Sequence, residues 1–150
     1  IYTVKDTLSL HDALPISAIL IAYFLLMKLF GLADNIWLRT LNAIILFGGV
    51  YKSIESWKSK KKDQLPYFNG LAVGIWVSAV VAIVFSIFLF AYLSYDTALM
   101  EKISSIPIFR LEFTPAKASL VIFFEAMFSG YIFSYMSMQF LKKSIKLEKK

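Results

Sequence analysis

Glu125 is the one charged residue in the apolar run from Ala118 to Leu141, and its setting decides what chemistry the chain can do. An ionisable group deep in a bilayer is costly, about 2.5–3.5 kcal/mol for Asp, Lys or Arg on insertion scales, so it normally faces a bundle interior and pairs there. Lys28 and Arg39 are the cations of the neighbouring apolar stretches, with Asn42 and Ser129 as polar companions. One reading makes Glu125 a proton-accepting or cation-coordinating group with Asn42, Ser129 and Ser78 around it. The other makes it half of a structural ion pair, or a carboxylic acid hydrogen-bonded between helices. The second is expected, because the apolar runs hold no other acid and no histidine to relay a proton onward. Lys28 and Arg39 also stand near the ends of their runs, where long basic side chains reach outward to water.

Other chemistries fare worse. The chain has no cysteine and a single histidine, His11. Disulfides, thiolate sites and cysteine nucleophiles are excluded, and zinc or haem ligation of the ordinary kind lacks its ligands. Serine hydrolysis needs a positioned base. The acids are scattered, and Gly48-Gly49 lacks the Lys-Ser/Thr that completes a phosphate-binding loop. The expectation is no enzyme, no cofactor and no metal.

The elements that must position Glu125 are four hydrophobic spans, at about 18–32, 36–54, 69–95 and 116–141. Hydrophobic residues make up 59% of the chain, against about 45–50% in soluble domains. Residues 69–95 carry no charge, and they exceed the roughly 20 apolar residues that cross a hydrocarbon core. Thr114 is placed to cap the last span and Pro115 to open it. The first span is short: fifteen residues rise only about 22 Å.

The residues before it account for that shortness. Thr7 to Ile16 reads TLSLHDALPI, which resembles the translated end of a short-read sequencing adapter. Ile1-Tyr2-Thr3 fits an upstream part of the same oligonucleotide. Such segments are set aside before fold reasoning. On this reading residues 1–16, His11 included, are adapter-derived, and residues 17–150 are the transmembrane domain. Residues 1–16 are then expected to form no specific, well-packed part of the fold.

Charge gives an orientation. The net charge is +6. Lys52 lies near the end of the second span, Lys58, Lys60, Lys61 and Lys62 lie between it and the third, and Lys142, Lys143, Lys146, Lys149 and Lys150 follow the fourth. The turn Ala33-Asp34-Asn35 and the connection from Ser94 to Lys117 are not basic in balance. The positive-inside rule therefore puts the basic loop and both termini in the cytoplasm. The lysines would meet anionic lipid headgroups, and the long uncharged runs argue against nucleic acid as a partner. The second span is expected to continue as helix past the membrane surface, with Tyr51, Ile54 and Trp57 forming a ridge at headgroup depth.

Packing has its own signal. Gly70, Gly74, Ser78, Ala82 and Ser86 recur every fourth residue in the third span, and Ala126, Gly130 and Ser134 repeat the pattern in the fourth. Small residues let helices approach closely in lipid. The seam predicts contact between these two spans, or a homodimer through one of them. In the connection from Ser94 to Thr114, Asp96 is expected to cap a short helix through Ile103, with Leu99, Met100 and Ile103 on one side. Pro107 stops it, and Phe109, Leu111 and Phe113 alternate with polar neighbours. This connection is expected to rest its apolar side on the bilayer, with a lid over the bundle's outer mouth as the alternative.

Three stretches carry a family resemblance: LNAIILFGGVYKSIESWK (Leu41 to Lys58), YFNGLAVGIWVS (Tyr67 to Ser78) and FFEAMFSGYIFSYMSMQFLKK (Phe123 to Lys143). The pattern is similar to small bacterial membrane proteins of the domain-of-unknown-function 4199 family. That resemblance implies four spans and no catalytic residues. The chain is thus expected to be an all-α, four-span helical bundle of a bacterial inner membrane. Its expected role is a structural or accessory subunit, with a second copy or another membrane protein as partner. The alternative is a transporter or proton/cation conduit using Glu125.

Overall fold

The computed structural model describes residues 10–31, 36–60, 67–105 and 114–148. Among the described residues every regular element is helical: α1 (Leu10–Leu29), α2 (Ile36–Lys60), α3 (Tyr67–Tyr95), α4 (Thr97–Ser104) and α5 (Pro115–Glu148). The expected turn at 33–35, the basic loop residues Lys61 and Lys62, and the alternation of Phe109, Leu111 and Phe113 after Pro107 lie outside the described residues.

Local chemistry sets the ends of these helices. Gly31 has φ 67°, a left-handed conformation that glycine takes without strain. Its N–H donates to the Lys28 carbonyl at 2.9 Å, so the helix expected to reach residue 32 stops at Leu29. Asp96 caps α4 as anticipated: the Leu99 N–H donates to Asp96 Oδ1 at 3.0 Å. α5 opens at Pro115, with the Lys117 N–H donating to Thr114 Oγ1 at 3.4 Å and the Ala118 N–H to the Thr114 carbonyl at 3.0 Å.

α3 is the central helix, touching α1, α2, α4 and α5, and its largest interface is with α5. The facing pairs are Gly74 with Ser134, Ser78 with Gly130, and Ser86 with Ser119, so the two helices run antiparallel. Ile54 of α2 also abuts Gly74, and Gln139 reaches the Tyr67 hydroxyl. The C-terminal ends of α2 and α5 therefore gather at the end where α3 begins. At the opposite end lie the close of α1, the α3–α4 junction and the start of α5.

The main core joins Val50, Ile54, Val73, Val77, Val81 and Leu141, while Leu89, Leu93, Leu99 and Ala118 form a second cluster. Both clusters correct the sequence reading. Tyr51, Ile54 and Trp57 form no headgroup ridge: Ile54 is wholly buried, and Tyr51 and Trp57 pack partly buried against the main core. The reason is that α3 and α5 run alongside this part of α2 and offer it an apolar wall. α4 likewise turns Leu99 into the second cluster, with Met100 packed against it, so these side chains lie on the bundle. Residues 10–16 also depart from expectation. They extend α1, and Ala13 and Ile16 are buried in the main core. Ala13, Ile16, Ser17 and Leu20 recur at helical spacing on one face, and Gly49 leaves room for the Ile16 side chain.

Among the described residues two helices, α3 and α5 over Pro115–Leu141, are long and apolar enough to cross a membrane. α1 is apolar but shorter, over Ala13–Leu29. α2 carries Lys52, Glu55, Lys58 and Lys60 through its second half, which lowers its apolar character.

Candidate functional site

Among the described side chains, Lys28 is drawn away from the other polar residues singled out in the sequence. Lys28 does not reach Glu125. Its ammonium pairs with Asp96 at the α3–α4 junction and lies over the Tyr92 ring, 5.1 Å from the centroid. The Tyr92 hydroxyl donates to the same Asp96 oxygen, Oδ2, at 3.3 Å. The reason is positional: Lys28 sits in the last turn of α1, and the C-terminal end of α3 presents Asp96 at that level. The structure thus gives Lys28 a partner, Asp96, that the sequence reading did not weigh.

Glu125 is exposed on α5 rather than turned into the bundle. Its face is set by the seam, since Gly130 and Ser134 point at α3 and Glu125 falls on the far side of the helix from them at 100° per residue. Asn42 is half-buried, and its Oδ1 is a buried atom without a hydrogen-bond partner. Ser129 is half-buried and forms no hydrogen bond with Asn42. The Arg39 side chain lies outside the described residues. Among the described residues no group of acids or histidines is disposed to hold a metal ion.

What the structure does assemble is the small-residue seam. A Cβ added to Gly74 would lie 2.7 Å from Ser134 Cβ and 2.9 Å from Ile54 Cδ1, and one added to Gly130 would collide with the Ser78 side chain. Each helix thus offers a glycine to the other's serine. Each serine hydroxyl folds back onto the glycine carbonyl one turn earlier, Ser78 to Gly74 at 2.8 Å and Ser134 to Gly130 at 2.6 Å. That back-bonding satisfies a buried hydroxyl without a partner helix. Toward the other end, Ser86 Oγ donates across the interface to the Ser119 carbonyl at 3.0 Å, the kind of interhelical bond that supports packing in lipid. Gly70 and Ala82 are buried along the same face of α3, while Ala126 is half-buried. The seam is thus filled within the chain, by α3 against α5.

Sequence reasoning missed three contributors: Asp96 as partner of Lys28, Tyr92 beside them, and Ser119 opposite Ser86. Tyr92 and Asp96 stand four residues apart, a spacing that places side chains together on a helix. That signal was present in the sequence.

No protein family, curated protein or solved structure matches the chain. Nothing among these comparisons supports the resemblance to the domain-of-unknown-function 4199 family, and no residue role is carried over from it.

Proposed function

We propose that the chain is a four-span membrane protein acting as a structural or accessory subunit, with α1, α2, α3 and α5 as its spans. One observation carries this reading: small residues fill the α3–α5 contact while large apolar side chains cover the outer faces of both helices. Gly74, Ser78, Gly130 and Ser134 occupy the interior contact, while Trp76, Ile87, Phe90, Phe124, Phe128 and Ile132 are exposed. Water would penalise such a surface at about 25 cal/mol per Å² of apolar area, and acyl chains would not. The lysine-bearing ends of α2 and α5 lie at the same end of the bundle, which fits a cytoplasmic side rich in anionic headgroups. A bacterial inner membrane is the proposed setting, and the outward faces of α3 and α5 are where a membrane partner would dock.

The chain should remain with the bilayer after alkaline carbonate washing, and a topology reporter fused after Lys62 should signal cytoplasm. Release by carbonate would overturn the membrane reading, while an external reporter signal would overturn the orientation alone. A conduit role would require Glu125 to face the interior, and its exposure favours the accessory role. Glu125→Gln in proteoliposomes should accordingly leave proton and cation flux at the wild-type level. Loss of a wild-type flux in that variant, at equal protein density, would establish the conduit instead.

A further inference from the structure

Asp96 joins several elements of the fold through one side chain. One carboxylate oxygen, Oδ1, accepts the Leu99 N–H that starts α4. The other, Oδ2, takes both the Lys28 ammonium from α1 and the Tyr92 hydroxyl from α3. Three helices meet on one side chain. α4 carries Leu99 into the cluster of Leu89, Leu93 and Ala118, and Phe24 of α1 borders that cluster. Phe24 is itself held edge-on by Phe85, Phe88 and Tyr92, at centroid distances of 6.3, 5.9 and 5.3 Å.

We propose that Asp96 is an ionic clasp: its two oxygens hold the end of α1 and the start of α4 onto α3 separately, and salt opens the α1 side first. The division follows from chemistry. The bond to Leu99 is a local cap that needs only an oxygen acceptor. The bond to Lys28 needs a charge, and both side chains remain part-exposed, 31% for Lys28 and 21% for Asp96, so mobile ions reach it. With α1 released, the aromatic cluster around Phe24 opens at this end while α4 stays seated. The clasp is independent of the membrane-subunit reading.

Nitroxide pairs test it in the full chain, which has no cysteine of its own to interfere. One pair, Leu29→Cys with Ile87→Cys, reports α1 against α3, and the other, Glu101→Cys with Ile87→Cys, reports α4 against α3. All these positions are exposed. Each pair should give a single narrow distance in the otherwise native chain. Lys28→Met should lose the narrow α1–α3 distance and keep the α4–α3 distance. Asp96→Asn keeps a capping oxygen without the charge, and should behave the same way. Asp96→Ala should lose both. Should Asp96→Ala fail to fold, the native clasp at about 1 M salt, where screening acts within about 3 Å, should reproduce the Lys28→Met pattern. An α1–α3 distance unchanged in Lys28→Met or at high salt would overturn the clasp. So would an α4–α3 distance lost in Lys28→Met or in Asp96→Asn.

Discussion

Gly130→Ala is expected to destabilise the α3–α5 pair by about 1–3 kcal/mol, the usual range for overpacking, and Ser78→Gly in the same chain is expected to restore most of it. The added methyl group meets Ser78 Cβ and Oγ at collision distance, while the nearest backbone atom, Ser78 Cα, is 3.6 Å away. The obstacle is therefore one side chain. Removing that side chain clears the space, and the glycine it introduces is offset by the glycine removed, each worth about 1 kcal/mol of helix propensity. The mirror-image site should behave differently. Gly74→Ala meets Ile54 as well as Ser134, so Ser134→Gly should rescue it only in part. Unfolding in detergent, followed by thermal or denaturant titration, reads both cycles. A Gly130→Ala/Ser78→Gly double variant no more stable than Gly130→Ala would contradict the facing arrangement.

Ile54→Ala should cost about 2–5 kcal/mol, the range for emptying a packed interior site. Ile54 is completely buried and sits where α2, α3 and α5 converge on Gly74. Ile83→Ala removes the same atoms from a side chain that is 48% exposed on α3, and should change stability by less than about 1 kcal/mol. The contrast separates the fold from a headgroup anchor at Ile54. An anchor would affect membrane attachment and leave unfolding nearly unchanged. Equal effects of the two substitutions on unfolding would contradict the core assignment.

These residues also show what the sequence made legible. The four-residue period of Gly70, Gly74, Ser78, Ala82 and Ser86 announced the α3 face that packs, because spacing alone fixes which residues share a helix face. Thr114-Pro115 and Asp96 announced two helix starts for the same local reason. Tertiary choices were less accessible. Whether Tyr51, Ile54 and Trp57 face headgroups or neighbouring helices depends on where α3 and α5 run, which no local pattern encodes. The pairing of Lys28 was misread because depth was considered without direction. Glu125 lies beyond its reach, whereas Asp96 waits at the same end of the bundle. The outward side of α5 that Glu125 occupies was legible in its spacing from Gly130 and Ser134. Ala13 and Ile16 packed because the first turns of α1 continue its apolar face, and a helix face accepts any apolar sequence that keeps its period.

The account's central claim is that α5 turns its Gly/Ser face to α3 and its aromatic face to acyl chains. Nitroxides placed singly along α5 in liposomes test both halves at once. Labels at Phe124, Phe128 and Ile132, all exposed, should collide freely with dissolved oxygen and hardly at all with a water-soluble nickel chelate. Labels at Ala126 and Ser137, on the packed side, should be shielded from both. Ready access of the nickel chelate to Phe128 or Ile132 would place that face in water, and an oxygen maximum at Ala126 and Ser137 would turn the helix around; either result contradicts the claim.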